Sequence, residues 1–574
     1  MAKTNYWQRF QRQRITRRRL MVGAGVGVAG LAVAAACGDG GGNGTSPTST
    51  TVAADATATP VPAPVRGGVF RYGHDGDWGT IDPLTSVSFG PQLFPWLFNP
   101  LIEQFRRKPD LFFFDLAESL EQPDDETYVY TIRQGVKIAP NDLGIEERDL
   151  DALDAQAWIE RIQQEDRAVH RAFTNQFLQS SEASDARTFQ IKTNGPYAYF
   201  LLRLGAPLGG CIPPREFFEQ EIDLKDKGVG AGPFVLRPGT FEETGGAILD
   251  RNTNYYRTDP SNGGAQLPYI DSIEAPRITD RGTRRIAFVD RQLDSYDPET
   301  AEEVEDLRNS FPDLVVIEAP ANTFIGFTMN PTRPPWDDER IRKAALFALN
   351  RQEFVDIIVG GAGQPNGLVH WPLGDFALPP EELETLQPYN PEESKRLIRE
   401  ATGEDTISIN IIYPVSNIQF HDLHLPIFLR QMREAGFDIQ EDAQEFTNWL
   451  LNYQELNYDA SLSPNQIYEI PEIPVDFHHS LGPQGDGNFA VGIGALFPEI
   501  DAAILDSKNT TDPDELIAKV QEVQRLIYDK VPAFLPIFSW QDFTVYHGNV
   551  KNHPDLQGLG PAWRYFNDWW LDPA

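Results

Sequence analysis

The sequence predicts an α/β protein of two to four domains. Three observations carry this: short strands alternate with amphipathic helices, 574 residues are too many for one small core, and no repeat of 20–50 residues is present. A hydrophobic fraction of 41% and a charged fraction of 23% belong to a soluble globular chain. The net charge is −35. Residues 1–37 hold seven cations and no acid, so the rest is more acidic than the whole. Such a surface repels phosphate backbones and argues against nucleic acid as a partner; its plainest role is solubility.

The first 65 residues read as an address, an anchor and a tether. Arg17, Arg18 and Arg19 precede Leu20-Met21 and an apolar stretch rich in Ala, Gly and Val. A positive segment, an apolar segment and a small-residue processing site make an export signal. The arginine pair resembles a twin-arginine signal, the route of substrates exported already folded. Leu20 to Ala36 is marginal for a membrane span. It ends at Ala34-Ala35-Ala36-Cys37, which resembles a lipoprotein processing box, in which the Cys37 thiol receives lipid. A plain secretory signal and an uncleaved anchor are the alternatives. Residues 38–65 are Gly, Ser, Thr, Ala and Pro with almost no large apolar side chain, hence a flexible spacer. Gly25-Val26-Gly27-Val28-Ala29-Gly30 matches a dinucleotide fingerprint but lacks the flanking strand and helix, and is a coincidence of the signal. With Cys37 so used, Cys211 reads as a buried small hydrophobe, and two thiols leave no cysteine–histidine zinc constellation.

From Gly67 the pattern is that of a folded body. Residues 68–73 read as a strand, and Tyr128 to Arg133 alternates with period two before Gln134-Gly135. Asp337 is expected to cap a helix with Ile341, Ala345, Ala348 and Leu349 on one face, ending at Gly360-Gly361. Asp512 is expected to cap another, with Pro513 at its first position, a stripe of Leu516, Val520, Val523 and Ile527, and Pro532 beyond its end.

Read in order, several segments carry a resemblance. Gly67-Gly68-Val69-Phe70 precedes Thr80-Ile81-Asp82-Pro83. Asp115-Leu116-Ala117-Glu118-Ser119-Leu120 precedes Asp124 to Lys137. Gly230-Ala231-Gly232-Pro233-Phe234, Asn254-Tyr255-Tyr256 and Leu267-Pro268-Tyr269-Ile270-Asp271 follow, then Met329-Asn330 with Pro334 to Ala344. The series resembles the family 5 extracellular solute-binding proteins, the dipeptide, oligopeptide and nickel class, over about residues 66–550. The resemblance implies a periplasmic-binding-protein type II clamp. Lobe 1 would contain 66–320 and the returning 540–574, with a subdomain inserted at 104–229; lobe 2 would be 321–539. It implies a ligand gripped between lobes, delivery to ABC transporter permease subunits, no chemistry and no cofactor. A monomer is expected of a clamp that must open and close. The expected location is the outer face of the cytoplasmic membrane or the periplasm, anchored through lipid on Cys37.

The resemblance turns loops holding Trp78, Trp371 and Tyr413 toward the cleft; the alternative is that each simply packs its lobe. Peptide-binding members carry an Asp shortly after the stretch matching Asn457 to Ala460, where it pairs with the peptide amino terminus. Here the place reads Ser461 to Tyr468 with no Asp. Asn465, Tyr468 or Glu469 stands nearby, and an amide cannot neutralise an ammonium, which counts against a free peptide. His421 and His424, and His478-His479, are the histidine clusters; helix-capping or surface roles compete with metal binding there. No Gly-x-Ser-x-Gly elbow, His-Glu-x-x-His helix or nucleophilic cysteine context is present. A secreted glycosidase with paired carboxylates and a ligand-sensing lipoprotein remain as competing classes.

Overall fold

The structure is a computed structural model. It describes residues 63–573 apart from 77, 87–92, 105–111, 169, 206–210, 243–244, 322, 416–422, 467–470, 483–491 and 553–567. Cys37, the export signal and most of the tether therefore lie outside the described residues. The body is a two-lobed α/β clamp.

The first lobe is organised by three sheets. Val69–Arg71 pairs in parallel with Ser272–Ala275, which continues antiparallel to Ala247–Arg251 and then Phe234–Leu236. The core on this sheet gathers Phe70, Trp78, Phe94, Trp96, Cys211 and Trp569, as expected for Cys211. An antiparallel sheet of Ala117–Glu121, Thr127–Ile132, Thr188–Thr193 and Leu178–Ala183 follows in that spatial order. Period-two burial in Thr127–Ile132 puts Tyr128, Tyr130 and Ile132 inside, as the alternation requires. In the third sheet, Phe538–Tyr546 runs between Ser295–Tyr296 and Val315–Pro320.

The second lobe is built on a mixed sheet with the order Phe437–Gln444, Ile407–Pro414, Ala460–Gln466, Thr323–Met329 and Phe534–Pro536. Two strands pass from one lobe's sheet to the other's. Val315–Pro320 leads into Thr323–Met329, and Phe534–Pro536 leads into Phe538–Tyr546. The passages are tied to neighbours: Ala321 N donates to Trp540 O at 2.7 Å, and Ile537 N donates to Ile325 O at 2.8 Å.

The two expected helices are present, one with a correction. Asp512 caps Pro513–Asp529 by accepting from Asp514 N and Glu515 N, and Leu516, Val520, Val523 and Ile527 are buried. The helix expected from Asp337 to Gly360 is instead two. Asp338 caps Glu339–Ala348, and Asn350 caps Arg351–Val359, accepting from Glu353 N. Asn350 breaks the run because its amide holds the second helix's first turn. Gly360 ends that helix at φ 59°, where a glycine is unstrained. Among the described residues no helix is long and apolar enough to cross a membrane.

Candidate functional site

The short helix Glu472–Asp476 is fixed to the second lobe through Ile473 and Phe477, which pack on Phe324 and Phe534 of the central sheet. Phe477 stacks on Phe534 with ring centroids 4.3 Å apart. Glu472 and Asp476, four residues apart, share the adjoining face. Helix Pro498–Lys508 brings Lys508 to the same place. Its Nζ lies 2.8 Å from Asp476 Oδ2 and 3.1 Å from Glu472 Oε1.

Residues 197–205 meet this face. The Tyr197 hydroxyl donates to Glu472 Oε2 at 2.6 Å, and Arg203 Nε donates to the same oxygen at 2.9 Å. Ala198 N donates to Lys508 O at 2.7 Å. Tyr197 stacks on Phe177 at 4.3 Å, and the Arg203 guanidinium sits over the Phe173 ring, so helix Arg171–Phe177 orients both groups. Two carboxylates, an ammonium, a guanidinium and a phenol thus form one buried seam between residues 197–203 and 472–508.

Burial separates the two carboxylates. It disfavours the charge of Glu472, but Arg203, Lys508 and Tyr197 outweigh it and hold this carboxyl far below the usual range. Burial pushes the Asp476 carboxyl up to about 7; Lys508 pulls against that shift and the Glu472 charge adds to it. Lys508 loses by burial and gains more from Asp476 and Glu472, so its ammonium is held charged. Among the described residues, Asp476 Oδ1 and the Tyr199 hydroxyl have no hydrogen-bond partner. Such a seam can hold the lobes closed and can present buried polar atoms to a molecule lodged there.

The sequence-derived candidates do not gather at one point. Trp78 is fully buried in the first lobe's core, its ring 4.0 Å from that of His74. Trp371 is half-buried in the turn Trp371–Phe376 and lines a cavity of about 1090 Å³ with Leu349, Gln364 and Gln521, all of the second lobe's segments. Tyr413 is buried near the end of Ile407–Pro414 and its hydroxyl donates to Glu441 at 3.1 Å. Asn465 stands in Ala460–Gln466, in register with Phe324. Tyr468, Glu469 and His421 lie outside the described residues. His424 stands at the N-terminal end of Leu425–Glu434 and makes no side-chain cap. Sequence reasoning missed Tyr197, Arg203, Glu472, Asp476 and Lys508. A pair of acids at i, i+4 beside Phe477 was the available signal, and nothing local ties it to an arginine 269 residues away.

The comparisons agree with this architecture. The model of the bacterial extracellular solute-binding proteins, family 5, matches residues 114–488. The glutathione-binding protein GsiB of Salmonella paratyphi A is 26% identical over 439 residues, covering 73% of this chain and 78% of that protein. Di/tripeptide-binding protein 1 of Pseudomonas aeruginosa is 25% identical over 466 residues, covering 76% and 82%. Among solved structures, the periplasmic binding protein DppA of Helicobacter pylori in complex with the peptide STSA superposes with a TM-score of 0.74 at 18% identity. It covers 89% of this chain and 99% of that one. MoaA in complex with mannopinic acid, from A. tumefaciens R10, gives 0.73 at 20% identity, covering 89% and 100%.

Proposed function

The chain belongs to the bacterial extracellular solute-binding proteins of family 5, the solute-capturing components of ABC importers, and on that premise we propose that it grips a peptide-like or other polar organic solute between its lobes. The observation that carries this reading is the polar seam of Tyr197 and Arg203 against Glu472 and Lys508, which makes lobe approach a matter of matched charge. A solute touching both faces favours the closed form by its contacts to each. The strand passages near 321 and 537 support a hinge there, with lobe 1 as 66–320 plus 540–574 and its subdomain at 104–229, and lobe 2 as 321–539. Trp371, Asn465 and Tyr468 remain the proposed solute contacts from the sequence. Trp78 and Tyr413 fit a packing role better, one closed in the core and one bonded to its neighbouring strand.

Relatives named for glutathione and for di- and tripeptides set the first panel of solutes. The missing Asp after Ala460 favours a solute without a free amino terminus at that point. Lipid on Cys37 would hold the clamp at the membrane by the 38–65 spacer, so Cys37→Ala is expected to move the protein into the soluble fraction. The decisive experiment is native mass spectrometry of protein purified gently from cells. A discrete adduct mass, or a ladder spaced by amino-acid residues, is expected. Protein that arrives bare and stays bare against millimolar dipeptides, tripeptides and glutathione, and against added cell extract, overturns the carrier reading.

A further inference from the structure

Asp476 is 4% exposed, and among the described residues only one of its two carboxylate oxygens is served: Oδ2 by Lys508, with Oδ1 unpartnered. The groups around it leave little to serve the second. Glu472, on its own helix, is the other claimant on Lys508. The first lobe's Arg203 and Tyr197 are both spent on Glu472 Oε2. Tyr199 brings a neutral phenol that also lacks a partner. His478, just beyond the helix, is fully buried with both ring nitrogens unpartnered, and the ring of His479 is 3.9 Å from Asp501. Asp476 accepts one hydrogen bond where Glu472 accepts two, so of the two buried carboxylates its charge is the less supported and it is the one that takes up a proton. Parting the lobes admits water to the same group and restores its ordinary ionisation.

We propose that closing the lobes takes up one proton at Asp476, so that Glu472, Asp476 and Lys508 on one lobe and Tyr197 and Arg203 on the other form a proton-linked latch. The burial-driven rise in the Asp476 carboxyl agrees with this geometry. The latch needs no solute and goes beyond the carrier reading: it sets how readily the empty clamp closes. Affinity for any solute that requires closure then follows the same proton.

The hydrogen bond from Ala198 N to Lys508 O crosses the seam, so exchange of the Ala198 amide reports opening. The experiment is hydrogen exchange of the solute-free full chain from pH 5.5 to 8.5, corrected for intrinsic rates. One-proton linkage predicts that Ala198 protection falls about tenfold for each unit by which pH rises toward 7, and levels off above 7. Amides of Thr127–Ile132, inside one sheet, show no such slope. Asp476→Asn is expected to abolish the slope and keep high protection at pH 8. Glu472→Gln is expected to lower protection and to move the levelling point to lower pH, because the Glu472 charge helps to raise the Asp476 carboxyl. A flat wild-type profile overturns the latch. A slope that survives D476N, or a levelling point that moves to higher pH in E472Q, overturns the assignment to Asp476. Should near-UV circular dichroism show D476N unfolded, Lys508→Gln carries the same test: the levelling point moves to higher pH, and an unmoved point refutes the proposal.

Discussion

His370 and His478 are fully buried, and among the described residues neither ring has a hydrogen-bond partner for a nitrogen. Burial drives both down to about 3. An unfolded chain protonates these rings near pH 6.5, while the folded chain refuses the proton until about 3. The unfolded state therefore binds more protons across that window, and stability is lost as pH falls from 6.5 toward 3. Glu472 acts in the same direction, its contribution present above the unfolded value of 4.5 and lost as pH falls below it. Asp476 acts oppositely, losing stability as pH rises from about 4 to about 7. His370→Leu keeps the volume that packs on Phe324. It is expected within about 1.5 kcal/mol of wild type at pH 7.5 and to be the more stable protein at pH 5, by urea unfolding. A variant that loses stability with acid as steeply as wild type counts against a neutral buried His370. Asp154 gives a second residue-scale test. It is fully buried, grips both terminal nitrogens of Arg148 at 2.6 and 2.8 Å, and accepts from Asp151 N and Arg215 N. Asp154→Ala strands those donors and is expected to cost about 3–5 kcal/mol, again by urea titration; a loss below about 1 kcal/mol would mean the pair behaves like an exposed one.

Elements differ in how openly the chain announces them. Helix Pro513–Asp529 was fully legible because its cap, its N1 proline and its apolar stripe all agree. The two helices at 339–359 were not separable by periodicity, since Ile341, Ala345 and Ala348 run on in phase toward Phe354 and Val355. The break depends on Asn350, whose backbone N–H also donates to Gln431 of a distant helix at 2.9 Å. The turn Gly230-Ala231-Gly232 was recognisable as a motif, but its reason is tertiary. A methyl at Gly232 would stand 2.6 Å from the Leu97 carbonyl carbon and from Trp96 O, so the turn lies directly on another backbone. Gly232→Ala is expected to cost about 1–3 kcal/mol by overpacking and to blunt the near-UV circular dichroism of the tryptophan core holding Trp78 and Trp96. An alanine variant with wild-type stability would show that Leu97 yields freely.

At the scale of the whole molecule, the two-lobed fold was legible because many weak motifs fall in one order along the chain, and order survives where identity is low. The site was not. Its parts come from residues 197–203 and 472–508, far apart in the chain and brought together only by tertiary contacts, and none stands in a distinctive local pattern. The aromatic side chains that drew attention in the sequence include Trp78 and Tyr413, whose size made them core material first. The net charge of −35 sets a further global condition. Acids far outnumber bases, so compactness forces like charges together, and the repulsion reaches as far as salt allows. That reach is about 30 Å at 0.01 M and about 8 Å at 0.15 M, the difference between spanning a lobe and spanning a side chain. Surface ion pairs such as Arg237–Asp250 and Arg525–Glu382 are weakened by the same salt, but exposed pairs contribute about 1 kcal/mol or less each. The repulsive sum should win. The midpoint of thermal unfolding at pH 7.5 is expected to rise by a few degrees, about 1 kcal/mol, between 10 and 150 mM sodium chloride, read by calorimetry. A midpoint that falls over the same range would mean that paired surface charges, not the acid excess, govern the stability of the clamp.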